Sequence, residues 1–207
     1  DLLTSIIGYS ELLQLEDLNE ESLENVDKIL KNATELLNLI KQILDLSKIE
    51  AGAIRLKKEK GNIVNLINDV IENVSYHING KSIKINKNIN TNVLSYDIHF
   101  DKEKIFQILR NLIINAIKFS DSNSYIDITI NIVDKTVENE NPNDENFDFF
   151  GNNEKKYIHI SIKDYGIGIS KHHLSKIFDA FYQVDNSQIR NHGGTGLGLA
   201  IVKSFVD

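Results

Sequence analysis

Residues 102–133 read KEKIFQILRNLIINAIKFSDSNSYIDITINIV. Up to Phe119 the apolar residues recur at helical spacing. From Tyr125 the period drops to two: Ile126, Ile128, Ile130 and Ile132 alternate with Asp127, Thr129 and Asn131. The stretch predicts a long helix over 102–119, then a half-buried strand with one polar face. Further on, Ile158, Ile160 and Ile162 alternate with His159, Ser161 and Lys163, a second such strand over 157–163. Between the strands, residues 134–156 are polar, rich in Asn and acids, and hold the single proline, Pro142. They are expected to form a long exposed, disordered hairpin loop. Upstream, Ile63, Leu66, Ile67, Val70, Ile71 and Val74 mark another amphipathic helix, and 82–90 and 93–100 read as short strands.

The part before Gly52 is different in kind. From Leu23 the apolar residues fall at Val26, Leu30, Ala33, Leu37, Ile40 and Leu44, in steps of three and four. Leu3, Ile6, Leu12 and Leu13 suit the end of a preceding helix, with 16–20 as the turn. Two narrow seams cannot bury themselves, so the hairpin is expected to pair with a second copy, or to belong to an intramolecular bundle with further helices. The expected fold class is therefore α+β. A helical hairpin, 1–52, is half of a dimeric four-helix bundle. An α/β sandwich domain, 53–207, follows, with a mixed sheet and helices on one face.

Composition narrows the function. The 207 residues are 41% hydrophobic and 26% charged, which excludes a wholly disordered chain. No apolar run approaches the ~18–20 residues of a membrane span. No cysteine is present, so disulfides and cysteine zinc sites are excluded. A net charge of −7 argues against nucleic acid as a partner. There is no Met, and the chain opens at Asp1 inside a predicted helix, as expected of a piece of a longer protein.

Three constellations carry chemistry. On the 102–119 helix, Asn111, Asn115 and Lys118 share one face at i, i+4 and i+7. A carboxamide oxygen suits Mg²⁺ and an ammonium suits phosphate, although solvent alone would also explain a polar face. Directly after the second strand comes Asp164-Tyr-Gly166-Ile-Gly168. Its glycines allow a sharp turn close to a ligand, and its carboxylate could accept from an exocyclic amine; an ordinary turn would look the same. The third is Gly193-Gly194-Thr195-Gly196-Leu197-Gly198 opening a helix, where free amides and the helix dipole favour an anion. A flexible loop is the alternative. It is neither a Walker loop nor a dinucleotide fingerprint. Between the second and third, Phe178 and Phe181 suit either a hydrophobic latch on a mobile lid or plain core packing.

The order of these features resembles the ATP-binding domain of two-component sensor histidine kinases. Asp45-Leu-Ser-Lys-Ile-Glu-Ala-Gly52 and Ile6-Ile-Gly-Tyr-Ser-Glu-Leu-Leu13 resemble that family's dimerisation and phosphoacceptor hairpin. The resemblance covers nearly the whole chain apart from 134–156. It implies ATP and Mg²⁺ as cofactors, with Asn115 on the metal and Asn111 and Lys118 at phosphate or its hydration shell. It implies that Asp164 reads the adenine amine in a pocket shaped by Gly166 and Gly168. Gly194, Gly196 and Gly198 would turn amides to the phosphates, with Thr195 and Leu197 beside them. Phe178 and Phe181 would anchor the lid, and Arg190 would reach the γ-phosphate. Asp101 and Gln107 match recurring positions with structural roles.

Related ATPases of the same superfold carry a water-activating Glu four residues before the metal-binding Asn. Here that position is Asn111, whose amide cannot act as a base. The resemblance thus implies transfer of the γ-phosphoryl to a histidine, then to an aspartate of a response-regulator receiver domain. The acceptor His is expected upstream of Asp1. His77, His99, His159, His172, His173 and His192 all lie outside the predicted hairpin. The family usually also continues past Asp207. The sequence as given is thus expected to bind nucleotide weakly and not to phosphorylate itself. The expected partners are a second copy through the hairpin and a receiver domain, with no nucleic acid and no membrane contact by this segment. It would lie on the cytoplasmic side of a parent whose anchoring stays open. A catalytically degenerate dimeric scaffold with a vestigial nucleotide site is the competing reading.

Overall fold

The computed structural model describes residues 2–94, 97–136, 154–184 and 194–206. Helix α1 (Leu2–Leu13) packs on α2 (Glu20–Glu50) as the expected hairpin. Asn19 starts α2 by accepting the Ser22 N–H at 2.9 Å, filling one of the helix's orphan donors. Gly52 ends it in the left-handed region, where Gly52 and Ala53 donate back to Ile49 and Lys48. Along α2, Val26 and Ala33 are buried, Leu30 and Leu37 half-buried, and Leu23, Ile40 and Leu44 exposed. A second exposed apolar row, Ile29, Leu36 and Ile43, repeats every seven residues.

The described chain forms two compact units. One joins the hairpin, residues 2–55, with residues 176–184 and 194–206; the other takes the described residues between 56 and 175. The second runs β1 (Glu59–Gly61), α3 (Ile63–Asn73), α4 (Ser75–Lys81), β2 (Lys84–Ile89), α5 (Thr91–Leu94), β3 (Ile98–Phe100), α6 (Lys102–Phe119), β4 (Tyr125–Thr136), β5 (Glu154–Asp164) and α7 (Lys171–Leu174). Strands β1 and β3 make an antiparallel pair. The main sheet is mixed, ordered β2-β4-β5, with β2 parallel and β5 antiparallel to β4.

The period-two pattern explains the layering. Ile126, Ile128 and Ile130 are buried, and Ile128, Ile130 and Ile132 lie opposite Ile162, Ile160 and Ile158. These isoleucines meet Ile67 and Val70 of α3 and Leu109, Ile113, Ala116 and Ile117 of α6 in one core. Each fully buried isoleucine contributes about 1.5–3 kcal/mol of transfer free energy.

Two expectations are corrected. The β4–β5 ladder runs three residues further into 134–156 than the composition suggests, ending at Thr136 opposite Glu154; residues 137–153 lie outside the described residues. Backbone pairing continues there regardless of side-chain polarity. The strand expected over 93–100 is a strand only at Ile98–Phe100; Val93 is buried within the one-turn α5. Short α4 and β1 carry too little pattern to announce themselves.

Helix α6 is fixed at both ends. Asp101 caps it, accepting N–H groups from Lys104 at 3.0 Å and Lys57 at 2.8 Å. Burial raises this carboxyl's pKa, but those donors outweigh it, so it sits below its ordinary value. Its contribution is present at neutral pH and is lost as pH falls through the folded-state value. At the other end the Lys81 ammonium donates to the carbonyls of Ile117 (3.0 Å), Lys118 (2.7 Å) and Ser120 (2.9 Å). A cation there satisfies orphan carbonyls and complements the negative end of the dipole. Lys81→Met keeps the stem and removes the charge. It is expected to lower stability by about 1–3 kcal/mol with an unchanged m value in urea unfolding; an unshifted midpoint would contradict this role.

Candidate functional site

Helix α6 presents Asn111, Asn115 and Lys118 along one side, all half-buried, while Leu109, Ile113, Ala116 and Ile117 face the core. Position and burial follow from the period: polar residues at i, i+4 and i+7 flank the apolar stripe. The Lys118 ammonium lies 4.8 Å from the centre of the Phe119 ring, and burial pushes its pKa below the ordinary value. A half-desolvated cation is one that an anionic ligand would re-stabilise.

The Asp164–Gly168 turn meets the end of this helix within the same unit. Asp164, exposed at the end of β5, accepts the Gly166 N–H at 3.0 Å. The Ile167 N–H donates to the Phe119 carbonyl at 3.3 Å. A Cβ on Gly166 would stand 2.0 Å from that carbonyl oxygen, so only glycine allows the contact. The structure therefore brings two of the three sequence constellations together, through backbone at residues 119, 166 and 167.

The third constellation belongs to the other unit. There helix α8 (Gly198–Val206) follows the glycine turn and packs on α2, with Leu197, Ala200, Ile201 and Val202 buried. Thr195 Oγ1 donates to Gln42 Oε1 at 2.8 Å and accepts the Leu197 N–H at 3.2 Å. The Phe181 N–H donates to the Gly196 carbonyl at 3.1 Å, and the Gln183 amide to the Gly194 carbonyl at 2.9 Å. A Cβ on Gly196 would meet the Phe181 backbone at 2.7 Å. Phe181 is itself left-handed at φ 63°, which is strained for an aromatic residue. Phe178 and Phe181 are 40% and 61% exposed, so core packing does not describe them. Within this unit the join to the glycines runs through the Phe181 backbone. Arg190 and Gly193 lie outside the described residues.

A carboxamide oxygen is a hard, neutral donor of the kind Mg²⁺ accepts beside phosphate oxygens. Among the described residues no group of three His, Cys, Asp or Glu could hold a metal ion by itself. The Asn115 carboxamide is a donor of a kind that fits Mg²⁺.

Residues 100–207 match the family described as Histidine kinase-, DNA gyrase B-, and HSP90-like ATPase, and residues 2–52 match the His Kinase A (phospho-acceptor) domain. The chain belongs to the two-component sensor histidine kinases. This histidine kinase core is 33% identical over 208 residues to the autoinducer 2 sensor kinase/phosphatase LuxQ of Vibrio vulnificus, across 99% of the chain and 22% of LuxQ. It is 32% identical over 205 residues to the signal transduction histidine-protein kinase BarA of Escherichia coli, across 99% of the chain and 20% of BarA. The chain spans about a fifth of the length of these curated relatives. Among solved structures, full-length ShkA in complex with AMPPNP superposes with a TM-score of 0.73 at 26% identity, covering 98% of this chain and 37% of that one. No helix among the described residues is long and apolar enough to cross a membrane.

The two neighbouring glycines separate sterics from backbone strain. Gly168 has φ 67° with open space around it, whereas Gly166 is blocked by the Phe119 carbonyl. Gly168→Ala is expected to lower stability by about 1 kcal/mol. Gly166→Ala is expected to lower it by about 2–3 kcal/mol, because the turn must leave α6. Thermal unfolding of both variants checks this, and equal losses would contradict the packing role.

Proposed function

We propose that this histidine kinase core binds Mg²⁺-ATP and delivers the γ-phosphoryl group to a histidine, from which it passes to an aspartate of a response-regulator receiver domain. The observation that carries the reading is the backbone junction of α6 with the Asp164–Gly168 turn. It sets the Asn111, Asn115 and Lys118 face beside an exposed carboxylate at a strand end. Family membership and the likeness to ShkA, solved in complex with AMPPNP, support it.

In this mechanism Asp164 accepts a hydrogen bond from the adenine 6-amine, with Gly166 and Gly168 shaping the wall. Lys118 neutralises phosphate charge, and Asn111 contacts phosphate or its hydration shell. Asn115 would hold Mg²⁺, which when bound spreads the charge that develops on the phosphoryl oxygens. By the family resemblance, Gly194, Gly196 and Gly198 would turn backbone amides to phosphate beside Thr195 and Leu197, Phe178 and Phe181 would anchor the lid, and Arg190 would reach the γ-phosphate. Asn111 has no basic atom to deprotonate water, so the site favours transfer to an incoming imidazole over hydrolysis.

A second copy of the chain is the proposed partner through 1–52, ahead of the 53–207 catalytic domain. The exposed row Ile29, Leu36 and Ile43 supports it, because a heptad seam on a 31-residue helix is otherwise left in water.

Asn115→Ala is expected to weaken Mg²⁺-ATP binding roughly tenfold or more, with an unchanged circular dichroism spectrum. Calorimetric titration with and without Mg²⁺ checks it; unchanged affinity would remove Asn115 from the site.

A further inference from the structure

On the face of the sheet away from the helices, one polar network spans three strands. Asp127 of β4 accepts from the Asn86 amide of β2 at 2.9 Å and from the Tyr165 hydroxyl at 2.8 Å, one bond to each carboxylate oxygen. The Tyr165 ring lies on Tyr125, 4.4 Å between centroids, and the Lys163 ammonium sits 4.7 Å from its centre. Tyr165 follows Asp164, where β5 and its pairing with β4 end. The chain is thus gripped twice directly after Asp164. Gly166 and Ile167 rest on the Phe119 carbonyl, and Tyr165 is turned back over the outer face.

We propose that Tyr165 and Asp127 are positioning residues that aim the Asp164 carboxylate at the 6-amino group of adenine. The proposal rests on the nucleotide reading above and deepens it. One Asp164 oxygen is committed to the Gly166 N–H. The lone pairs left for a base must point in a fixed direction, because recognition tolerates only about 10–20° of error. Asp164 is the last residue of the ladder, opposite Ile126, so the strand holds its backbone on one side only, and what fixes the chain just after it sets the direction of the carboxylate. A phenol–carboxylate bond is charge-assisted and short, which suits it as a pin. The Asn86 bond and then the Tyr165 bond lower the Asp127 pKa, and the bond to Asp127 raises that of Tyr165. Tyr165 is exposed, so removing its hydroxyl empties no core.

The test measures calorimetric affinity for Mg²⁺-ATP and Mg²⁺-ITP, which carries a carbonyl where adenine has its amine. It uses the whole chain and the variants Asp164→Asn, Tyr165→Phe, Asp127→Ala and Asp127→Asn. Tyr165→Phe and Asp127→Ala are expected to lose about three- to tenfold in ATP affinity with ITP affinity unchanged, so the ATP preference falls. The double variant of Tyr165→Phe and Asp127→Ala should be no worse than Asp127→Ala alone, since both changes break the same Tyr165–Asp127 bond. Asp127→Asn keeps an acceptor for Tyr165 and should retain most of the preference, and melting temperatures should stay near that of the parent. If Asp164→Asn abolishes the preference while Tyr165→Phe and Asp127→Ala keep it, or weaken both nucleotides equally, the positioning role is overturned. If Asp164→Asn itself leaves the preference intact, the adenine assignment falls and this proposal with it.

Discussion

The C-terminal end of α6 is the joint on which the catalytic part of the fold depends. A helix end leaves carbonyls without partners and gathers negative potential. Here the Lys81 ammonium takes three of them, and the Phe119 carbonyl accepts from Ile167. Gly166 is what lets the second chain come close enough. One tight backbone contact thereby sets two chemically different segments side by side: a helix face with carboxamides and a half-buried lysine, and a turn with an exposed carboxylate. Because it uses main-chain atoms, its geometry does not depend on rotamers, as the proposed recognition of phosphate and base would require.

The other unit follows the same logic with a different element. Gly196 accepts the backbone of Phe181, and Thr195 is bonded to Gln42 on α2. Phe181 is held in the left-handed region, which is strained for an aromatic residue. Both phenylalanine rings are exposed, not packed in a core.

Much of this was legible because periodicity reports burial directly. The 102–119 helix runs between the residues that the pattern marked, and the β4 isoleucines are buried as their alternation requires. The Asn111, Asn115 and Lys118 face and the Asp164 turn could be singled out because polar residues at i, i+4 and i+7 and glycines straight after a strand stand out against the apolar pattern. The Lys81 clamp could not be found that way. Its partners lie 36–39 residues ahead, and a lysine ending an unpatterned stretch such as 75–81 gives no local sign of where its charge goes. Gly166 was recognised as a turn glycine, but the oxygen that excludes a Cβ belongs to another element. Asp127 looked like any polar residue on a solvated strand face; its bonds to Asn86 and Tyr165 depend on strand order, which alternation does not encode.

The central claim is that the end of α6 and the Asp164 turn form one nucleotide site. The most direct measurement is an amide NMR titration of the chain with Mg²⁺-ATP, following residues 111–119 and 164–168 together. The account predicts that both segments shift on a single binding curve with one dissociation constant. Shifts in only one segment, or two curves with different constants, would contradict it.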